Sequence, residues 1–244
     1  MRRIRHQLIL FALFTLYIIT RLIGISNIEF TFWQSIWTFA LKNSLLLIAF
    51  IYLAYSILDS IRHQPQIGPQ IISGKNLKKI FYPALLLTWL AITVHTVFEI
   101  FKLLLPFKLL PFYQFADYMD ETISHIFMYV PAVILFFITT SLEIERPLSE
   151  FLKKKEIALL SSLSLLFGTI WGLNITEGRL SLITSFPIML IYIFLTLYFF
   201  KKHHLNLRSR PWNLTAVIFF TSASISFVVW NMIFQSTEFF TTLK

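Results

Sequence analysis

Along the 244-residue chain, apolar residues gather into blocks of about twenty that carry almost no charge. Short stretches rich in lysine, arginine, proline and glycine separate them. A block of that length suits a hydrocarbon core of about 30 Å crossed at 1.5 Å per residue. Seven blocks stand out, at 7–26, 37–58, 81–104, 120–142, 157–174, 180–200 and 214–235. Each has to be helical, because an open strand in lipid would leave its backbone groups unpaired. The second block is interrupted by Lys42, and the fifth is short and holds Gly168 and Gly172. The pattern predicts an all-α fold: a polytopic membrane helix bundle of seven transmembrane helices, with residues 1–244 forming a single integral membrane domain.

The connecting stretches set the orientation. With the N-terminus inside, the inner segments hold Arg2, Arg3, Arg5, Arg62, Lys75, Lys78, Lys79, Arg146, Lys153, Lys154, Lys155, Lys201, Lys202, Arg208 and Arg210. The outer ones hold only Lys102, Lys108, Arg179 and Lys244. Fifteen against four, alternating at every loop, predicts an N-in, C-out topology. The longest connection, 59–80, contains Pro65, Gly68, Pro69 and Gly74 and reads as an irregular inner loop. The stretch 105–119, LPFKLLPFYQFADYM, is aromatic and punctuated by proline, which suits the membrane interface or a cap on the bundle.

Composition agrees with this picture. The chain is 57% hydrophobic and 14% charged, where a soluble domain has roughly 25% charged residues. In a soluble protein the net charge of +9 would suggest nucleic acid. Here the basic runs sort by side of the membrane, so their expected partners are the lipid bilayer and anionic lipid at its inner face, with no nucleic acid. The absence of cysteine removes disulfides, thiol redox chemistry and thiolate metal ligands. MRRIR before an apolar stretch resembles the opening of a signal peptide, but the stretch is long, lacks an A-x-A-like site and has Arg21 near its end, so an uncleaved first helix is expected. The expected location is a bacterial inner membrane or plasma membrane.

Candidate chemistry collects at the outer ends of the third and fourth blocks. His95 and Glu99 are four residues apart in VHTVFEIF, and Glu121 and His125 are four apart in DETISHIF, in mirror order. Spacing of i, i+4 puts both members of a pair on one helix face. In antiparallel helices the two pairs converge, with Glu99 and His125 at matched depth. His95 and His125 are the only histidines inside the apolar blocks, and ionisable groups buried there are costly and often functional. Asp117 and Asp120 add carboxylates at the rim. At the inner end the polar residues read as ordinary loop flanks.

Three uses fit the cluster. As a metal centre, His95, Glu99, Glu121 and His125 would be ligands for a divalent transition ion, such as zinc, iron or manganese. Asp117 or Asp120 would then be a catalytic base, in a membrane enzyme acting on a lipidic substrate at the outer leaflet. As a haem site, His95 and His125 would be the axial ligands of haem b. As a polar network, the acids would pair with Arg21, Lys42 or Arg179. The functional expectations are therefore a metal-dependent membrane enzyme, a transporter or ion-coupled binding protein, or an accessory or sensor subunit of a membrane complex. A transporter needs polar residues continuing inward past His95, and the chain offers few, mainly Ser56, Thr88, Thr93 and Ser141. No G-x-S-x-G turn frames a serine nucleophile.

Overall fold

The computed structural model describes residues 3–13, 48–49, 51–71, 74–104, 110–176 and 186–235. Helices α1 (residues 3–13) and α2 (51–62) are followed by α3 (Gly74–Leu104) and α4 (Leu110–Tyr118). A π-helical turn (Met119–Ser124) carries α4 without a break into α5 (His125–Glu145). Helices α6 (Lys154–Thr176), α7 (Phe186–Lys202) and α8 (Pro211–Gln235) complete the bundle, and a single 3₁₀ turn (Leu207–Ser209) precedes α8. The described residues contain no strand, as expected for a chain that must satisfy its backbone without water.

Three helices hold stretches long and apolar enough to cross a membrane: Lys79–Phe98 in α3, Lys154–Leu173 in α6 and Pro211–Ile233 in α8. Their outward faces are apolar. Leu86, Trp89 and Leu90 on α3 and Ile225 and Met232 on α8 are exposed, as are Phe194, Leu197 and Tyr198 on α7. A continuous apolar exterior of this kind is normal against lipid and abnormal against water.

Three apolar clusters hold the described helices together, the smallest formed by Ile4, Leu152 and Leu160. Of the two larger ones, one joins α1, α2, α3, α5 and α8 through Leu10, Ile57, Ile61, Phe81, Ile138, Leu142 and Trp212. The other joins α1, α5, α6, α7 and α8 and is largely aromatic, built from Phe11, Phe167, Tyr192, Phe219, Phe220 and Phe227. Phe136 stacks on Phe219 with ring centroids 5.5 Å apart, and Phe167 stacks on Phe219 at 4.9 Å. Helices α6 and α8 run parallel in close contact. Gly168 lies against Phe219 and Ser222, and Gly172 against Ala223 and Ser226. Ser226 Oγ also donates to Thr169 O at 2.8 Å.

The connections depart from the sequence reading at two places. The inner stretch 59–80 is irregular only over 63–71 among its described residues. Helix α2 runs on to residue 62, and α3 starts at Gly74. At 31 residues α3 is about 46 Å long, and its apolar stretch Lys79–Phe98 alone matches a hydrocarbon core of about 30 Å. In the outer stretch 105–119, residues from Leu110 onward are helical rather than loop.

Candidate functional site

Helix α3 carries His95 and Lys102 seven residues apart, which is two turns and therefore one face. Opposite it run Asp117 on α4 and Asp120 and Ser124 on the π turn. The antiparallel approach brings these groups together. His95 Nδ1 lies 2.5 Å from Asp120 Oδ1, and Lys102 Nζ lies 2.6 Å from Asp120 Oδ2 and 3.4 Å from Asp117 Oδ1. Asp120 is 1% exposed and His95 is buried, while Lys102 and Asp117 are partly open. Ser124 donates its hydroxyl to the Asp120 carbonyl, which ties off a backbone group within the widened turn. Two carboxylates, one ammonium and one imidazole thus meet across a single helix seam.

The geometry restricts the chemistry. A serine–histidine–carboxylate relay needs the hydroxyl and the acid on opposite ring nitrogens. Here Ser124 Oγ, at 3.5 Å, and Asp120 both address His95 Nδ1. No group of three or more His, Asp or Glu side chains able to share a metal ion occurs among the described residues. Of the expected ligands, His95 is described in full. Glu99, Glu121 and His125 take helical positions close by on α3, the π turn and α5, and their side chains lie outside the described residues. The expected partners Arg21, Lys42 and Arg179 also lie outside the described residues. Asp120, expected as a rim base, is the acid that meets His95. Lys102, expected as a loop charge, is the cation of the cluster. Its seven-residue spacing from His95 was the available signal.

The inner end contradicts its reading as ordinary loop flanks. Helix α8 opens with Arg210 as its N-cap and Pro211 at the first helical position, where a missing N–H costs nothing. The next two amides, Trp212 and Asn213, donate to Glu143 Oε1 at 3.0 Å and Oε2 at 2.7 Å. Asn213 Nδ2 adds a bond to Oε2 at 3.0 Å, and Arg3 Nη1 donates to Oε1 at 3.1 Å. A fully buried carboxylate on α5 therefore caps α8 and neutralises Arg3 of α1. Helix N-termini favour a negative group, because their first amides lack intrahelical acceptors. Burial lowers the pKa of the Arg3 guanidinium, and the Glu143 charge and hydrogen bond oppose that shift. Arg210 shows the same balance of burial against the Glu143 charge.

Two residues further on, α5 grips the inner loop. Ile67 N and Gly68 N donate to Glu145 O at 3.0 and 2.9 Å, and Ile71 N donates to Glu145 Oε1 at 2.6 Å. Arg146 Nη1 donates to Arg62 O at 2.7 Å and Gln64 O at 2.9 Å. A methyl group at Gly68 would overlap the Ile144 carbonyl oxygen, so the loop lies this close only because the residue has no side chain. Gly68→Ala is expected to cost about 1–3 kcal/mol by overpacking. The check is amide exchange at Ile67, Gly68 and Ile71, which should quicken together while exchange in α8 is unchanged.

The chain matches no family model, no curated protein and no solved structure.

Proposed function

We propose that this chain is a multi-pass protein of a bacterial inner or plasma membrane, with seven spans and an N-in, C-out topology. In this reading it serves a membrane complex as an accessory or sensor subunit, and its acidic clusters fasten helices together. The observation that carries the reading is Asp120, whose carboxylate lies between two basic side chains, with Oδ1 2.5 Å from His95 Nδ1 and Oδ2 2.6 Å from Lys102 Nζ. An ammonium ion at 2.6 Å already supplies the positive charge that a metal would bring. A transport path finds little support. Thr88 and Thr93 turn their hydroxyls back to the carbonyls of Ala84 and Trp89. Leu135 and Ile138 of α5 are buried in the apolar core between the two ends. The exposed Lys153, Lys154 and Lys155 suit anionic lipid at the inner face.

The metal-dependent enzyme acting on a lipidic substrate is kept as a second reading by one observation. Glu99 lies one turn beyond His95 on α3, and Glu121 and His125 flank Ser124 and Asp120 in sequence on the opposing strand of helix. The test is elemental analysis of the detergent-purified protein, prepared without chelators, alongside thermal unfolding of Asp120→Asn. The accessory reading expects no stoichiometric metal. It also expects a loss of about 1–3 kcal/mol in the variant, since Lys102 and His95 lose a charged partner. Near-stoichiometric zinc, iron or manganese that disappears in His95→Ala would overturn it in favour of the enzyme.

A further inference from the structure

Helix α4 has its polarity inside out. Phe112, Phe115 and Tyr118 recur every three residues and are 65%, 57% and 49% exposed. At 100° per residue they sweep an arc of about 120° on one side. Ala116 is buried on the other side, and Asp117 there reaches Lys102 of α3. In water the acids would face out and the rings in. The reverse arrangement suits a surface that is apolar enough for phenyl rings and polar enough for a tyrosine hydroxyl.

The level of α4 in the bundle identifies that surface. Phe115 meets Phe98 edge to face, with centroids 5.9 Å apart, and Phe98 is the last residue of the apolar stretch Lys79–Phe98. Val97 and Phe101 continue the exposed apolar face of α3 up to the same height. The nine residues of α4, about 14 Å, are the first part of a continuous helix that runs on through the π turn into α5. Helix α4 occupies the zone just past the hydrocarbon edge, where aromatic belts sit.

We propose that the Phe112–Phe115–Tyr118 face of α4 is seated in the headgroup and upper acyl layer of the bilayer leaflet at the Asp120 end. This rests on the membrane-spanning reading of α3 given above. Asp117 of α4 and Asp120 of the π turn that continues it meet Lys102 and His95 of α3, while the aromatic side of α4 binds lipid, so the Asp120 cluster and the leaflet are joined through one continuous helical segment.

The chain has no cysteine, so single-cysteine spin labels need no background removal. Labels on Phe112→Cys, Phe115→Cys and Tyr118→Cys are compared in full-length protein in phosphatidylcholine–phosphatidylglycerol nanodiscs, by collision with oxygen and with a water-soluble nickel chelate. Gln66→Cys in the inner loop is the water reference, and Leu86→Cys on α3 is the lipid reference. The expected result is oxygen-dominated collision at all three α4 positions, intermediate between the references. Nickel-dominated collision matching Gln66→Cys would overturn the proposal and place α4 in water. Protection from both reagents would also overturn it, and would indicate a protein partner or a second copy. If Leu86→Cys itself favours nickel, the membrane reading fails as well, which separates the two failures.

Discussion

Glu143→Met is expected to be the most destabilising single substitution at the inner end, and clearly worse than Arg3→Met. The two are not equivalent halves of an ion pair. Losing Arg3 leaves Glu143 with three hydrogen-bond donors from α8, namely Trp212 N, Asn213 N and Asn213 Nδ2. Losing Glu143 strands a buried guanidinium and uncaps α8 in the same step. Breaking a buried pair by removing one partner costs about 3–5 kcal/mol. Each stranded buried donor adds about 1–3 kcal/mol, though such costs do not sum simply. The double substitution Arg3→Met/Glu143→Met should recover part of the loss, because the stranded charge is gone while the two α8 amides still lack acceptors. Apparent unfolding midpoints of the detergent-solubilised variants, followed by tryptophan fluorescence, give the order. Equal losses for the two single variants would show that Glu143 acts only as the partner of Arg3 and does not cap α8.

Glu143 also marks where sequence reasoning stops. Helical extent was legible, because apolar block length reports which residues leave water. The blocks at 81–104, 120–142, 157–174 and 214–235 all fall on helix. That His95 would lie against an acid was legible too, since a histidine inside an apolar block is costly without a partner. Partner choice was not. The i, i+4 pairs set Glu99 opposite His125, whereas the contacts of the described side chains run from Asp120 to His95 and Lys102 and from Glu143 to a residue 140 positions away. Asp120 precedes Glu121 by one position and sits in the π turn between α4 and α5, whose wider winding no 3.6-residue period can report. The acids at 143 and 145 looked like loop flanks because they sit beside Arg146 and Pro147 at the end of a block. Their burial depends on α1, α8 and the inner loop all converging there. The number of phenylalanines does not separate lipid-facing rings from buried ones, and Phe11, Phe81, Phe219 and Phe227 are core residues.

The two glycines of α6 show the same limit and give the second large effect. Within the block they read as a weakness, since glycine in a helix interior costs about 0.5–1 kcal/mol relative to alanine. On propensity alone, Gly172→Ala and Gly168→Ala would stabilise. Packing reverses the sign. A methyl at Gly172 would overlap the Ala223 carbonyl oxygen and lie 2.9 Å from Ser226 Cβ, and one at Gly168 would overlap the Phe219 carbonyl oxygen. Ser222 could swing its hydroxyl away from Gly168, but a backbone carbonyl in the middle of α8 cannot yield. Relief therefore requires α6 and α8 to separate, which opens the aromatic core around Phe167 and Phe219. Overpacking costs about 1–3 kcal/mol and sometimes more, enough to exceed the propensity gain. Gly172→Leu should exceed Gly172→Ala, because the larger side chain cannot fit between parallel helices in contact through glycine, alanine and serine, the usual residues of close membrane helix pairs. Ser226→Ala supplies the scale. It removes one interhelical hydrogen bond to Thr169 O, an interaction that averages about 0.6 kcal/mol in membranes. The expected order of loss is Gly172→Leu, then Gly172→Ala, then Ser226→Ala, read from apparent unfolding midpoints. A rise in midpoint for Gly172→Ala would mean that helix propensity outweighs packing at this contact and that α6 and α8 are less tightly apposed than Gly172 and Ala223 imply.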